Sequence, residues 1–455
     1  MVAVLACISA LILCLWAGRR SLGQGLVALY TVGYFYGILR ANLPSEASHF
    51  VFDAAVLGFY LSQDWSGRAD SSRAARTVRL WTLSLVAWPL MLMVLPAQPL
   101  LVRLVGLRGA IFFIPILIVG ARLRETDLRF TAGGLAILNL AALGFAVAEY
   151  VRGVPAFYPY NAVTRIIYLS GDVAGGYFRI PAIFVNAAAY GGNMVASLPY
   201  LIGGWQEGER TTLRWLALAG IVSAMVGILM SASRTSFIVG IFVVVVAMFR
   251  TRMSAKQRIV FVLVLAGVGF AAVTNTRFGR FKTLSNTDYV QDRIAGSVNR
   301  GFFEILAQYP MGNGLGGGGT SMPYFLENQV RNPIGMENEY ARILSEQGVI
   351  GLCLWVGFLV WFLSRVSIAF ATGPWGNARR IAFLVNAFSV SSAFMGLGLL
   401  TAIPSTATLL LGIGWTSVPM GPSRKRTIRS ALPGWRQRVP AQVAWSPRRR
   451  SLSTR

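Results

Sequence analysis

The sequence is poor in histidine, cysteine and charged residues. Histidine occurs once, as His49, and the three cysteines, Cys7, Cys14 and Cys353, all lie in apolar segments. Most zinc, haem and Ser-His schemes are therefore excluded, and we expect no disulfide framework, metal or cofactor. Charged residues make up only 13% of the chain and hydrophobic residues 55%, with a mean hydropathy of +0.57. This composition predicts one large helical membrane domain rather than two or three soluble domains.

Apolar stretches of membrane-spanning length recur along residues 1–420. They predict an all-α integral membrane protein with about 12 to 13 transmembrane helices, since one span needs about 17 to 25 apolar residues. The first stretch lacks the basic start of a cleaved signal peptide, so we interpret it as a retained span. The candidate spans lie near 2–17, 22–39, 47–62, 78–96, 103–120, 130–150, 181–204, 212–232, 234–249, 259–275, 349–366, 381–400 and 402–420.

Acidic residues are scarce: the chain has 17 against 42 basic ones, and a net charge of +25. If the spans alternate, every basic loop falls on one side, which the positive-inside rule assigns to the cytoplasm. The loop 151–180 and the long insert 276–348 then face the periplasm. The basic tail 421–455 is predicted to be disordered and cytoplasmic, either attracted to anionic lipids or acting as a plain topology anchor. The charge is therefore not a sign of nucleic-acid binding.

A glycine-rich run stands in the insert. Residues 312–317 read Gly-Asn-Gly-Leu-Gly-Gly, a formal match to the dinucleotide pattern, but no strand precedes them and no Walker A lysine follows. Glycines such as Gly314 and Gly316 can adopt positive φ and present N–H groups to anionic oxygens. The run is either a binding loop or a flexible connector.

Two arginines are predicted on the same outer face. Arg234 follows a span and the serines Ser231 and Ser233, and Arg179 ends the outward loop 151–180. An arginine at a membrane boundary can simply snorkel to headgroups. Arginine is nevertheless costly within a bilayer, and its guanidinium suits bidentate capture of phosphate. We expect an anionic, phosphate-bearing substrate.

Residues 337–347 predict a helix that enters the span beginning at residue 349. Glu339, Arg342 and Glu346 are spaced for salt bridges along one face, and we expect the Glu339–Arg342 pair to be exposed and of little energetic weight. Glu337 has no obvious local partner at the helix start. Its carboxylate is either a partner of the helix dipole or a general base.

Together these motifs resemble the O-antigen polymerase and O-antigen ligase-like family. The matching features are the Ser-Ala-Ser-Arg turn ending at Arg234, the Gly-Asn-Gly-Leu-Gly loop and the run 337–348, Glu-Asn-Glu-Tyr-Ala-Arg-Ile-Leu-Ser-Glu-Gln-Gly. Arg179 with Asn186 is similar to the arginine–asparagine stretch that precedes them. The resemblance covers roughly residues 177–366, and the N-terminal half matches only in architecture.

The resemblance implies a GT-C-like enzyme of the bacterial inner membrane with a large periplasmic insert. Such enzymes move a glycan from undecaprenyl pyrophosphate to an acceptor hydroxyl without a metal or a nucleotide sugar. Many members have a His-Asn pair where this chain has Glu-Asn, while some look like this chain. The implied site comprises Glu337 and Arg234 for catalysis, with Arg179, Arg342, Gly314, Gly316 and Asn338 for substrate binding.

We therefore expect polymerisation or transfer of a polyprenyl-pyrophosphate-linked oligosaccharide onto a sugar acceptor at the periplasmic face, in lipopolysaccharide or exopolysaccharide biosynthesis. Polymerase and ligase remain alternatives. A transporter or flippase of lipid-linked glycans is the rival class, although no inverted repeat is visible, and a membrane scaffold leaves the arginines and the glycine loop unexplained. The expected partners are the carrier-linked glycan, membrane lipids and other polysaccharide export or assembly proteins.

Overall fold

A computed structural model describes the chain at residues 1–65, 72–169, 178–250, 255–275, 281, 291, 302–319, 322–334, 338–395 and 400–420. Every regular element among these residues is a helix, as expected for apolar segments that must satisfy their own backbone hydrogen bonds without water. Short 3-10 helices occur at Glu46–Phe50, Val154–Ala156, Glu327–Gln329 and Ala393–Met395. The α-helices are α1 (Val2–Arg20), α2 (Leu22–Asn42), α3 (Val51–Leu61), α4 (Arg73–Leu92), α5 (Leu100–Ile111), α6 (Ile116–Ala121), α7 (Glu125–Arg152), α8 (Arg165–Leu169), α9 (Ala187–Glu207), α10 (Thr211–Met230), α11 (Arg234–Arg250), α12 (Ala255–Thr274), α13 (Phe302–Gln308), α14 (Glu339–Leu363), α15 (Val366–Ala369), α16 (Gly376–Ser391) and α17 (Ser405–Ser417).

The described residues contain fewer candidate membrane spans than the 12 to 13 predicted along the whole chain. Within the described ranges, 6 segments are long and apolar enough to cross a membrane: Val2–Arg20, Leu22–Asn42, Leu100–Ala121, Glu125–Arg152, Thr211–Met230 and Glu339–Leu363. Several predicted spans are shorter as helices, since α3 has 11 residues and α17 has 13. Hydropathy measures the apolar length of a chain segment, whereas crossing a bilayer also needs a helix that continues for that length.

Helix α9 lies at the centre of the packing and contacts α7, α10, α16 and α17. Glycines allow some helices to touch backbone to backbone. A Cβ on Gly120 would lie 2.1 Å from the carbonyl oxygen of Leu411, and one on Gly414 would lie 2.1 Å from that of Leu117. This close approach of α6 and α17 is typical of membrane helices, which associate through small residues.

Loops that the charge rule assigns to the cytoplasm contact one another at one end of the helices. The Gly23 N–H at the start of α2 donates to Asp127 Oδ1 at the start of α7, over 3.1 Å. Arg129 forms a 2.7 Å ion pair with Glu209, in the loop between α9 and α10. The basic loops before α2, before α7 and after α9 thus lie at one end of the bundle, which we call the basic end.

The predicted periplasmic segments contact the opposite ends of the same helices. Asn42, at the end of α2, donates to the Phe157 carbonyl in loop 151–180 over 3.0 Å. Gln98, between α4 and α5, donates to the Asn313 carbonyl in the insert over 3.0 Å. Residues Met1–Met420 form one compact unit. The predicted tail 421–455 lies outside the described residues.

Candidate functional site

Arg179 lies against the turn that precedes Arg234. Its Nε donates to the Ser231 carbonyl over 3.3 Å, although the two residues are 52 positions apart. Ser231 ends α10, and Arg234 is the first residue of α11. Both arginine side chains are half-buried. The structure therefore brings together the two segments that the sequence predicted to share a face.

The insert reaches the same region. Phe281, within the predicted insert, packs on Phe237 in the first turn of α11, with ring centroids 4.5 Å apart. Asn275, at the end of α12, donates to the Tyr150 hydroxyl over 3.1 Å. Residues of the insert and its border thus lie beside the helices that carry the arginine turn.

An alanine with left-handed backbone stands beside each arginine. Ala182 has φ 53° and Ala232 has φ 48°, and they are two of the four non-glycine residues with positive φ in the described part of the chain. This conformation costs of order 1–3 kcal/mol and persists only where surrounding contacts impose it, which is common at functional sites. The contacts that impose it at Ala182 come from a residue that the sequence analysis missed.

That residue is Glu149, in the last turn of α7. Its Oε2 accepts the Ala182 N–H over 3.0 Å, and the side chain is only 1% exposed. The Tyr158 hydroxyl lies 2.8 Å from the carbonyl oxygens of both Ala182 and Phe184. Glu149 and Tyr158 together hold the backbone at Ala182, and we call this pair of contacts the clamp on Ala182. Glu149 Oε1 is buried without a hydrogen-bond partner among the described residues. An acidic residue inside a long apolar helix was the available signal, because such residues are functional candidates by default.

A second group of predicted residues forms a buried ion cluster on α14. Arg342 Nε donates to Glu339 Oε1 over 2.9 Å, and Nη1 donates to Glu346 Oε2 over 2.8 Å. The predicted salt bridges are therefore confirmed, but their predicted exposure is wrong: Glu339 is 0% exposed, and Arg342 and Glu346 are each 1% exposed. The insert and neighbouring helices cover this face, which helical spacing alone does not reveal. Such burial does not support the predicted substrate contact of Arg342, because two carboxylates occupy its guanidinium.

The glycine loop covers the cluster where α14 is broken. Gly348, with φ 68° and ψ −171°, interrupts the helix. The Val349 N–H donates to the Pro310 carbonyl over 2.9 Å, and the Asn313 N–H donates to the Ser345 carbonyl over 2.6 Å. A Cβ on Gly348 would lie 2.6 Å from the Met311 carbonyl carbon, so a glycine is required both for the backbone angle and for the contact.

The predicted binding glycines are packed against protein. A Cβ on Gly314 would meet the Ala97 side chain at 2.8 Å, and one on Gly316 would meet the Val102 carbonyl oxygen at 2.8 Å. A Cβ on Gly318 would lie 3.0 Å from Glu346 Oε1, so the loop backbone passes close to that carboxylate. Gly314 and Gly316 thus hold the loop against α5 and the segment before it, and their anion-binding role stays a prediction.

Asn338 caps the acidic helix. Its Oδ1 accepts the Tyr340 N–H over 2.9 Å and the Ala341 N–H over 3.2 Å, and the residue is 5% exposed. This is the ordinary role of asparagine at a helix start, and the substrate contact of Asn338 stays a prediction. Glu337, the predicted base, lies outside the described residues. No group of three or more His, Cys, Asp or Glu side chains is placed to hold a metal within the described ranges.

Comparisons with protein-family models and with curated proteins find no match for this chain. The fold and the composition define a class, that of helical multi-pass membrane proteins. The resemblance of the motifs to the O-antigen polymerase and ligase-like family stays a prediction.

Proposed function

We propose that this protein transfers or polymerises a glycan carried on a polyprenyl pyrophosphate, at the periplasmic face of the bacterial inner membrane. The observation that carries the proposal is the contact between Arg179 and the turn of Arg234. Two guanidinium groups from distant segments lie near one turn, at the ends of the helices opposite to the basic loops. Their fork-shaped donors match the oxygens of a pyrophosphate.

Glycan transfer from the carrier requires stabilisation of the negative charge that develops on the pyrophosphate leaving group. As the glycosyl bond to the carrier breaks, the pyrophosphate gains negative charge, and preorganised arginines stabilise that charge more in the transition state than in the ground state. Each charge-assisted hydrogen bond contributes about 1.5–3 kcal/mol. Glu337 would take the proton from the acceptor hydroxyl, and apolar grooves between spans would hold the lipid tail.

Glu149 supports this arrangement as a positioning residue. It binds the backbone at Ala182, three residues after Arg179, and so holds the segment that presents the guanidinium. The left-handed turn at Ala182 and the bonds from Tyr158 restrict the same segment. A preorganised arginine needs such support, because otherwise part of its binding energy is lost in ordering the chain.

A transporter or flippase of lipid-linked glycans is the second candidate. The break of α14 at Gly348 and the interruption between α5 and α6 favour it, because discontinuous membrane helices are typical of transporters. In that case the arginines would line a substrate path instead of a reaction centre.

One experiment separates these functions. The gene is deleted in its host, and the lipid-linked glycans are extracted, sized and assigned to a membrane leaflet. Single repeat units on the periplasmic leaflet indicate a polymerase, and full-length carrier-linked chains indicate a ligase. Repeat units trapped on the cytoplasmic leaflet indicate a flippase and would overturn the enzyme proposal. An unchanged glycan profile would reject both candidates.

A further inference from the structure

A cavity lies at the basic end, between the start of α4 and the segment that follows α14. Its volume is about 400 Å³, and it is lined by Arg73, Ala74, Thr77 and Arg365. The two arginines come from parts of the chain almost 300 residues apart. No acidic residue is part of this lining, and neither guanidinium forms an ion pair within the described ranges. Among the described residues, two positive charges thus surround one cavity without a counter-charge.

Aromatic side chains of α4 and α14 pack against one another next to this cavity. Trp81 of α4 packs against Phe358 and Trp361 of α14, with ring centroids 5.8 and 6.0 Å apart. The Arg365 guanidinium lies 5.1 Å from the centre of the Trp361 ring, and its Nε is buried without a hydrogen-bond partner among the described residues. Tryptophan prefers the headgroup level of a bilayer, and on that ground we expect the cavity at the depth of lipid phosphates.

We propose that this cavity binds a phosphate-bearing anion, with the headgroup of an anionic membrane lipid as the expected source. The guanidinium groups supply donors only, and phosphate oxygens supply acceptors only. The cavity falls in the usual size range of ligand pockets, about 300–1,000 Å³. Basic pockets between membrane helices on the cytoplasmic side are suited to phospholipid headgroups. The proposal does not depend on glycan transfer, since the cavity and the arginine turn lie at opposite ends of the helices.

The test uses the full-length protein in detergent with a mixture of phosphatidylglycerol and phosphatidylcholine, and native mass spectrometry counts the retained lipids. The wild type should retain phosphatidylglycerol preferentially. The double variant Arg73→Gln/Arg365→Gln should bind it about 30-fold more weakly, the effect of two basic residues at a membrane surface. Thr77→Glu, which keeps both arginines and adds a carboxylate to the lining, should also weaken binding and serves as a second variant should the first fail to fold.

The matched control is Arg19→Gln/Arg76→Gln, which removes two exposed charges from the basic end but leaves the cavity lining unchanged. It should retain the lipid as the wild type does. Equal loss in the control would overturn the proposal in favour of general surface charge, as would full retention in both cavity variants. Inorganic phosphate distinguishes the sources: displacement of the lipid at millimolar phosphate would identify a soluble phosphate site and reject the lipid headgroup.

Discussion

Replacing Arg342 with methionine removes the guanidinium between two buried carboxylates while keeping an unbranched side chain. Arg342, Glu339 and Glu346 are all at most 1% exposed, so solvent does not screen the change. Removing one partner of a buried ion pair costs about 3–5 kcal/mol. Two carboxylates are left facing each other here, and we therefore expect Arg342→Met to lower the free energy of unfolding by about 5 kcal/mol, the upper end of that range.

The matched control is Arg129→Met. Arg129 pairs with Glu209, whose side chain is 71% exposed, and exposed pairs contribute at most about 1 kcal/mol. Equilibrium unfolding of both variants in mixed detergent micelles, followed by tryptophan fluorescence, measures the difference. Adding Glu339→Gln and Glu346→Gln to Arg342→Met should recover about 2–3 kcal/mol, because the uncompensated charges disappear. The reasoning is refuted if Arg342→Met is no more destabilising than Arg129→Met, or if the triple variant is less stable than the single one.

Four further predictions concern the site and the topology. Arg234→Lys should lose most glycan-transfer activity in a complementation assay, because an ammonium group cannot reproduce a bidentate fork. Glu337→Gln should lower turnover by about 10² to 10⁴ while donor binding survives, and Glu337→His should keep partial activity. Glu149→Leu should lower the free energy of unfolding by about 1–3 kcal/mol, since a buried backbone N–H loses its acceptor, whereas Glu149→Gln should not. In a variant without native cysteines, a cysteine at position 320 should react with an impermeant reagent added from outside, and one at 430 should not.

Each of these predictions has its own control. Arg165→Lys and Glu327→Gln change exposed residues of the outer segments and should leave activity unchanged. Full activity of Arg234→Lys would leave that arginine only a lipid anchor, and full activity of Glu337→Gln would remove its role as the base. Equal stability of the Leu and Gln variants at 149 would contradict the clamp on Ala182. Reversed labelling at 320 and 430 would move the arginine turn to the cytoplasmic face.

Local spacing in the sequence predicted which charged side chains of α14 pair with one another, but it did not predict that the pairs are buried. The i, i+3 and i, i+4 intervals of Glu339, Arg342 and Glu346 identified the salt bridges correctly, because those intervals bring side chains together on any helix. The same intervals carry no information about what covers the helix, and the predicted exposure was wrong. Glu149 was available as an acidic residue in an apolar helix, but its partner was not predictable from local intervals, because Ala182 is 33 residues away.

The sequence by itself determined the class of the protein and predicted the sidedness of its loops. Apolar length and the distribution of arginines are properties of the chain, and they predict membrane helices and a basic end without knowledge of packing. Tertiary structure alone decided how many segments are continuous helices, where α14 breaks, and which polar groups are buried. Continuity and burial depend on contacts between distant segments: Gly348 meets Met311, Arg179 meets Ser231, and Arg73 shares a cavity with Arg365.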